Sequence, residues 1–309
     1  MGLTGSGLNA LHLNHEGSLF EQTIPRQLVH RTAVTEVLIT GFSTDGAGTY
    51  LLGAQWPLCH RFYRSADGRH DPFLLVESVR QAGLLIGHAG YDVPAGHAFV
   101  MDHLAFEISA DALACDTTHS DVVLSASCNP RRRGGRALKG LDFTMELYRG
   151  SRHAGTARAR ARCISPAVLA RLRAGQAKRF GQPFSPGPPV PAESVGKANA
   201  EDVVLAATGD AEIWTLRCRP HPVLFDHPMD HVPGNLMIEA MLQATRNRYW
   251  PHRVSVRALS ADFHCYANLD RPVTVHAADP IGDDKPFLVS LTQDGENVAD
   301  GLITTTTLN

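Results

Sequence analysis

The sequence has no excess of charge of either sign. Its 309 residues carry 29 Lys and Arg against 31 Asp and Glu, so no overall field favours nucleic acid or a membrane surface as a partner. No stretch approaches the roughly 20 apolar residues that a membrane-spanning helix needs, and the N-terminal residues lack the charged start and apolar core of a secretory signal. We therefore expect a cytoplasmic protein that binds neither nucleic acid nor membranes.

Cysteine motifs are also missing. The six cysteines are scattered, and none belongs to a C-x-x-C pair, which argues against a zinc ribbon or a disulfide framework. The densest polar cluster, Asp226, His227, Asp230 and His231 together with His70, matches no zinc-binding spacing. No metal site is expected.

What the sequence does contain is an internal repeat. Glu77 and Glu239 are each followed four residues later by a glutamine, Gln81 and Gln243, and then by an alanine. Each glutamate is also preceded by His, Pro and an aliphatic run. A repeat of this kind predicts two copies of one fold.

The composition predicts four segments. Residues 1–24 are Gly-rich and predict an N-terminal arm, and residues 166–200 have the Arg, Gly and Pro content of a linker. Residues 25–165 and 201–309 are the two predicted domains. Each combines strand-like alternation, which begins at Val29 in the first domain, with one strongly apolar helical stretch, and this favours an α+β fold in which an antiparallel sheet wraps a single long helix.

The helical stretch of the first domain carries charges in an apolar setting. In HDPFLLVESVRQAG, residues 70–83, Asp71 is suited to cap the helix and Pro72 to occupy its first position. Glu77 and Arg80 share one helix face, and the ordinary interpretation is an intrahelical ion pair. A carboxylate among aliphatic side chains is costly unless it is paired or lines a cavity. Because the position is acidic in both copies, the functional interpretation is favoured.

The same motifs carry a family resemblance. The segment HVPGNLMIEAMLQA, residues 231–244, is similar to the helix start of hotdog-fold acyl-carrier-protein dehydratases, in which a glutamate faces the acyl thioester. With AQWPLCHRFY and RHDPFLLVESVRQAG in the first half, and LFDHPMDHVPGNLMIEAMLQATR in the second, the chain resembles the A-factor biosynthesis family. These are double-hotdog proteins that make precursors of γ-butyrolactone or butenolide signalling molecules. The resemblance implies two tandem hotdog folds that form an intrachain pseudo-dimer.

The resemblance further implies an acyltransferase without a cofactor of its own. A β-ketoacyl group, delivered on the phosphopantetheine of acyl carrier protein, passes to the hydroxyl of dihydroxyacetone phosphate or a related triose phosphate. Glu77 or Glu239, with a pKa raised by burial, is expected to take the hydroxyl proton. Arg80 is expected to bind the phosphate.

The remaining predicted site residues lie around these groups. Amides at the helix starts, near Phe73 and at Gly234 and Asn235, are expected to hold the oxyanion. The substrate-binding set is completed by Gln81, Gln243 and Arg246.

The second copy departs from the family pattern at one position. Leu242 stands where the family typically has an arginine, and Arg246, one turn further along, is a possible replacement, although an arginine near a helix C-terminus also has an ordinary electrostatic explanation. His231 is either a catalytic or orienting imidazole or a cap of the loop before the helix. His70, matched to His231 by allowing one inserted residue, carries the same two interpretations.

The run NPRRRGGR, residues 129–136, is the one strongly basic stretch. A solvated turn is the ordinary interpretation. The functional alternative is a docking patch for an acidic acyl carrier protein or for the pantetheine phosphate, since arginine suits bidentate contacts with phosphate. That patch would consist of Arg131, Arg132, Arg133 and Arg136.

Two other functions fit the same motifs. A hotdog thioesterase or dehydratase acting on carrier-bound acyl chains needs no phosphate site. A non-catalytic acyl-binding homologue would have kept the fold and lost a site. The sequence leaves open the acyl chain, whether one or both halves are active, and whether the protein is a monomer or a homodimer.

Overall fold

The structure, a computed structural model, describes residues 19–133, 137–173, 184–225, 229–278 and 286–308. The chain forms two compact units whose segments alternate along the sequence. The first unit takes its described residues from 19–58, 74–102 and 115–173, and the second from 59–73, 103–114 and the described part of 184–308. This alternation has no counterpart in the sequence pattern, which predicts a single linker between two continuous domains.

The first unit consists of a helix and an antiparallel sheet. The sheet order is β1-β2-β4-β5-β6 followed by the first residues of β3, and the neighbours from β1 to β6 pair antiparallel. Its elements are β1 (Ile39–Thr44), β2 (Thr49–Trp56), α1 (Phe73–Leu85, in this unit from residue 74), β3 (Ala98–Ile108, to residue 102), β4 (Ser120–Arg133), β5 (Ala137–Arg149), β6 (Arg152–Ile164) and α2 (Pro166–Arg173).

The second unit repeats this arrangement. Its sheet order is β9-β12-β11-β10-β8-β7, and residues His103 to Glu107 of β3 pair antiparallel with β9. Its elements are β7 (Leu205–Ala207), β8 (Ile213–Leu216), α3 (Gly234–Tyr249), β9 (Val254–Phe263), β10 (Thr274–Ala278), β11 (Phe287–Gln293) and β12 (Glu296–Thr307).

Both helices are buried on nearly every side, as their composition predicts. Helix α1 continues beyond Leu85 as a π-helical turn, Ile86–Gly90. Helix α3 packs close to β12: a Cβ atom at Gly301 would lie 2.8 Å from Met241 Sδ, so a larger residue there would require the Met241 side chain to shift. The predicted α+β fold with one long helix against an antiparallel sheet in each copy is confirmed. Among the described residues no helix is both long enough and apolar enough to cross a membrane.

The strand predicted from Val29 begins only at Ile39. The preceding residues form two 3-10 turns, Arg26–Val29 and Val34–Glu36, and the second unit has equivalent turns at Ala192–Val195 and Ala200–Asp202. Side chains of the central helix bind this stretch, and these tertiary contacts override the alternating pattern. Strands β5 and β6 form a hairpin in which Arg149 pairs with Arg152.

Candidate functional site

Glu77 lies on α1 in the first unit with both carboxylate oxygens occupied. Oε1 accepts hydrogen bonds from Arg31 Nε at 3.0 Å, Arg80 Nη2 at 2.8 Å and Gln81 Nε2 at 2.6 Å. Oε2 accepts one from Arg80 Nε at 2.8 Å. The side chain is 0% exposed. Two guanidinium groups therefore neutralise a carboxylate that water does not reach.

The electrostatics of Glu77 differ from the sequence prediction. Burial alone raises the pKa of this carboxyl group, but the charges of Arg31 and Arg80 outweigh it and lower the pKa to about 2. The predicted upward shift is wrong for Glu77, because an opposite charge in direct contact favours the ionised form more than burial disfavours it.

Glu239 lies on α3 in the second unit and has a less complete shell. Oε1 accepts hydrogen bonds from Gln243 Nε2 at 2.7 Å and forms an ion pair with Lys197 Nζ at 3.0 Å. Oε2 is buried and has no hydrogen-bond partner among the described residues. Such an unsatisfied buried oxygen costs about 1–3 kcal/mol. One oxygen of the carboxylate is thus left for a contact that the described residues do not supply.

The pKa of Glu239 is raised, as predicted. Burial is the largest cause; Lys197 opposes the shift, and the negative charge of Asp71 adds to it. A carboxyl group with a raised pKa binds a proton more readily than an ordinary glutamate, which suits a general base.

Asp71 forms ion pairs with two buried cations of the second unit, Lys197 and Arg246. Its Oδ2 lies 3.0 Å from Lys197 Nζ and 3.1 Å from Arg246 Nη1, and its Oδ1 accepts the Phe73 amide at 2.9 Å. Although burial opposes it, the positive charges of Arg246 and Lys197 lower the pKa of Asp71. Lys197 is therefore shared between two carboxylates, whereas Glu77 has two arginines. The Phe73 amide, expected to hold an oxyanion, is occupied by Asp71.

Gln81 has a structural task at the start of the first unit. Its Oε1 accepts the Leu38 amide at 2.9 Å, and its Nε2 donates to the Glu36 carbonyl at 2.8 Å. These contacts join α1 to the turns before β1. They favour a positioning role over the substrate contact predicted for this residue.

Gln243 repeats these contacts in the second unit. Its Oε1 accepts the Val204 amide and its Nε2 donates to the Asp202 carbonyl, both at 2.8 Å. The same scaffold therefore holds Glu77 and Glu239, and what differs is the cations around them.

The two predicted arginines serve different partners. Arg80 gives Nε and Nη2 to Glu77, and Nη2 also lies 3.3 Å from the Val29 carbonyl, so most of its guanidinium is committed. Arg246 is 7% exposed and lines a cavity in the second unit. Leu242 follows Glu239 by three residues on α3 and is fully buried.

The predicted oxyanion donors of the second unit lie at the start of α3. Gly234 is the first residue of the helix, Pro233 precedes it, and Asn235 is buried. First-turn amides lack acceptors within the helix, which is the geometric basis of the donor role predicted for Gly234 and Asn235.

His231 precedes this terminus and pairs with its neighbour. Its Nδ1 lies 2.9 Å from Asp230 Oδ1, and its ring meets Tyr266 edge-on at 5.0 Å. The side chain is about one-quarter exposed. An imidazole oriented by a carboxylate fits both interpretations made from the sequence.

His70 is not the structural counterpart of His231. The His70 amide donates to the Leu113 carbonyl beyond β3, and the Val232 amide donates to the Ala267 carbonyl beyond β9. Both His70 and Val232 lie seven residues before their glutamate, so the match needs no inserted residue. The sequence alignment of the two histidines is wrong because it followed residue type rather than backbone position.

The basic run continues a strand. Arg131 and Arg132 pair with Gly140 and Leu138 of β5, so the first part of the run is not a turn. Arg131 contacts Asp102, Asp142 and the Ala161 carbonyl, whereas Arg132 is exposed. The Arg133 side chain and Arg136 lie outside the described residues.

Sequence reasoning missed Arg31 and Lys197, the cations nearest the two glutamates. Both end a similar octapeptide, IPRQLVHR at residues 24–31 and VPAESVGK at residues 190–197. The proline at the second position and the basic residue at the last position of both octapeptides indicate that the repeat begins well before each helix. Asp226 and His227 lie outside the described residues, and within the described ranges no group of three or more His, Cys, Asp or Glu is arranged to hold a metal ion.

Comparison with family models gives one match of wide coverage. The model for the A-factor biosynthesis hotdog domain matches residues 15–165 and again residues 185–309. The two matched ranges each contain one of the buried glutamates, in agreement with the internal repeat.

Curated relatives carry one name. A 2-oxo-3-(phosphooxy)propyl 3-oxoalkanoate synthase of Streptomyces virginiae is 38% identical over 92% of this chain and 97% of the relative. Proteins of the same name from Streptomyces coelicolor and Streptomyces griseus are 35% and 33% identical, over 85% and 88% of this chain and 85% and 92% of their own lengths.

Solved structures support the fold. An acyl-ACP thioesterase from Bacteroides thetaiotaomicron matches with a TM-score of 0.53 at 15% identity, over 83% of this chain and 98% of that one. A putative oleoyl thioesterase from Lactobacillus plantarum matches with a TM-score of 0.54 at 14% identity, over 86% of this chain and 100% of that one. At this identity the likeness concerns the fold alone.

Proposed function

Since the chain belongs to the A-factor biosynthesis hotdog family, we propose that it is an acyltransferase that makes a 2-oxo-3-(phosphooxy)propyl 3-oxoalkanoate. The hydroxyl oxygen of dihydroxyacetone phosphate attacks the carbonyl carbon of a β-ketoacyl thioester. The new C–O bond forms, the C–S bond breaks, and the thiol of the carrier leaves with the proton. The curated relatives, which match this chain over 85% to 97% of their own lengths and whose name describes this product, support the assignment.

The observation that carries the mechanism is the unpartnered Oε2 of Glu239. A general base must accept the proton of the attacking hydroxyl at hydrogen-bond distance. Oε2 has an unused acceptor site among the described residues, and the raised pKa of Glu239 favours proton uptake. Lys197, held on Oε1, fixes the orientation of the carboxylate. A substrate hydroxyl on Oε2 would offset the cost of leaving that oxygen buried and unpaired.

Glu77 has a structural role in this scheme. Its oxygens are occupied by Arg31, Arg80 and Gln81, and a pKa of about 2 makes it a weak base at neutral pH. Taking a proton from a hydroxyl would require breaking a buried ion cluster. We assign the proton transfer to Glu239 alone.

The other groups of the second unit complete the reaction. The amides of Gly234 and Asn235 stabilise the oxyanion that develops on the thioester oxygen. The imidazole of His231, oriented by Asp230, is placed in the sequence just before these amides. The acyl group is delivered on phosphopantetheine by acyl carrier protein, so the chain needs no cofactor of its own. Either a monomer or a homodimer is compatible with the scheme.

Product analysis tests the proposal directly. The purified protein is mixed with a β-ketoacyl carrier thioester and dihydroxyacetone phosphate, and the products are separated by mass spectrometry. The phosphorylated ester should accumulate in proportion to the enzyme and should be absent when dihydroxyacetone phosphate is omitted. Accumulation of free β-keto acid in its place would identify a thioesterase. Stable binding of the thioester without consumption would identify an acyl-binding protein.

A further inference from the structure

The second unit contains a cavity whose wall includes three arginines and two histidines. It has a volume of about 60 Å³, which is room for roughly four to six water molecules at about 10–15 Å³ each. A phosphate group, with five heavy atoms, is of similar size. The basic residues of its wall are Arg69, His70, Arg246, His252 and Arg253.

Arg246 forms part of the wall and is held rigidly. It is buried in α3, and its Nη1 donates to Asp71 at 3.1 Å. Among the described residues its Nε and Nη2 make no hydrogen bond or ion pair that would commit them. A buried guanidinium fixed at one nitrogen, with its remaining donors unused, is a preorganised anion ligand.

Arg69 adds a second incompletely used guanidinium. Its Nη2 donates to the Ala110 carbonyl, but its Nε is buried without a hydrogen-bond partner among the described residues. The neighbouring Arg257 also has a buried Nε without such a partner, and after burial the charge of Arg69 is the next cause that lowers the pKa of Arg257. Two mutually repelling cations with unused donors indicate a site for negative charge.

Strand β9 has an irregularity at Arg257. Thr304 of β12 pairs with Ala258 and Thr305 pairs with Val256, so Arg257 has no residue opposite it. A β-bulge of this kind redirects a side chain and is frequent beside functional sites. The bulge takes Arg257 out of the regular pairing of the sheet, and Arg257 is close enough to Arg69 for their charges to interact.

The cavity is also connected to Glu239 through direct contacts. Arg246 binds Asp71 at 3.1 Å, Asp71 binds Lys197 at 3.0 Å, and Lys197 binds Glu239 at 3.0 Å. All four residues are buried. An anion at Arg246 would therefore lie at the end of the ionic chain that holds the proposed base.

We propose that this cavity binds the phosphate group of the triose phosphate, with Arg246, Arg69 and Arg253 as its ligands. The proposal rests on the proposed function, and it moves the phosphate site from Arg80, whose guanidinium is committed to Glu77, to the unit that contains Glu239, whose Oε2 has no hydrogen-bond partner among the described residues. The two acidic residues of the wall, Asp67 and Glu193, are exposed, so water and salt screen their charges.

The chain carries its own reporter for this site. Trp250 lines the cavity and is 43% exposed, whereas Trp56 and Trp214, the other two tryptophans, are 0% and 2% exposed. Fluorescence is followed while dihydroxyacetone phosphate, glycerol 3-phosphate or inorganic phosphate is added in the absence of thioester. Each should give a saturable change, and neutral dihydroxyacetone should give none. Calorimetric titration of the same ligands provides a measurement that is independent of tryptophan.

Variants locate the site. Arg253→Ala removes an exposed wall residue without disturbing the buried cluster, and we expect the Kd for dihydroxyacetone phosphate to rise by about tenfold. Arg246→Lys keeps the charge but loses two donors and should weaken binding similarly. Arg219→Ala, an exposed arginine of the same unit outside the cavity wall, serves as the control and should leave Kd unchanged. Equal Kd values in Arg253→Ala and Arg219→Ala would overturn the proposal.

Further outcomes distinguish triose phosphate from the carrier's phosphopantetheine as the ligand. They also distinguish failure of the cavity assignment from failure of the proposed function. Saturable binding of pantetheine 4′-phosphate but not of triose phosphate would overturn the assignment, because the site would then belong to the carrier. If triose phosphate binds and Arg253→Ala weakens it, the phosphate site stands even when no ester is formed and the proposed function fails. If the ester forms while Arg253→Ala leaves binding intact, the cavity assignment fails alone.

Discussion

Glu77 and Glu239 occupy equivalent positions on two equivalent helices, yet their surroundings make opposite use of the carboxylate. Gln81 and Gln243 bind them in the same way. Around Glu77 two arginines satisfy both oxygens and lower the pKa. Around Glu239 one shared lysine satisfies one oxygen, and the pKa is raised. Both copies of a repeat can thus keep the same scaffold while the glutamate of one copy has a structural role and the glutamate of the other retains an oxygen for proton transfer.

The exchange of one residue explains much of this difference. Arg80 closes the shell of Glu77, and Leu242 stands at the matching place in α3. A buried leucine cannot neutralise a carboxylate, and among the described residues Lys197 is the only cation in direct contact with Glu239. Leucine at position 242 thus coincides with an oxygen, Oε2 of Glu239, that has no hydrogen-bond partner among the described residues and that we assign to the base.

The largest expected effect is on turnover. Glu239→Gln removes the proposed base, and we expect the rate of ester formation to fall by about 10²–10⁴-fold. Glu77→Gln should change the rate per folded molecule by less than about tenfold. Single-turnover assays with equal amounts of folded protein compare the two. A folded Glu77→Gln protein that is as inactive as Glu239→Gln would show that both halves carry chemistry.

Stability should respond in the reverse order. Glu77→Gln leaves Arg31 and Arg80 buried without their counter-charge, and breaking such a buried pair costs about 3–5 kcal/mol. In Glu239→Gln, Lys197 keeps Asp71 as a partner, so we expect a loss below about 2 kcal/mol. Urea unfolding at neutral pH measures both values. Similar losses in the two variants would contradict the structural role of Glu77.

The two glutamates should also give opposite pH dependences of stability. The folded pKa of Glu77, about 2, lies below its ordinary value of 4.5, so its contribution is present above about pH 4.5 and is lost as the pH falls toward 2. The folded pKa of Glu239 is raised, so its contribution is present below the ordinary value and is lost as the pH rises through the folded pKa.

Unfolding free energies of the two Gln variants across the acidic range check these signs. Relative to the parent protein, Glu77→Gln should show a weaker loss of stability on acidification. Glu239→Gln should show a weaker loss on raising the pH from the acidic side. The same sign in both variants would mean that the two carboxyl groups have similar environments.

The smallest expected effect concerns carrier docking at the basic end of β4 in the first unit. If Arg132 contacts an acidic carrier protein, Arg132→Ala should raise KM for a carrier thioester by a few-fold at low ionic strength and hardly at all at high salt. KM for a small pantetheine thioester is the control and should not change. An unchanged KM for the carrier thioester at low salt would show that Arg132 has no role in carrier docking.

Much of the fold was predictable because it depends on local pattern. The apolar run around Glu77 and the Pro-Gly start before Glu239 predict the two helices, and the Glu and Gln spacing predicts the repeat. The strand predicted from Val29 was wrong because alternating residues there are held in turns by Gln81 and Arg31. Lys197 was missed because it lies in a stretch whose composition indicates a linker.

The sequence by itself determined the family, the two copies and the burial of a carboxylate in each, because periodicity and motif spacing are properties of neighbouring residues. Only the tertiary structure decided which carboxylate is saturated. Residues distant in sequence, such as Arg31 for Glu77 and Lys197 and Asp71 for Glu239, set the local charge. Electrostatic energy depends on the distance between charges in space, and the folded chain alone fixes that distance.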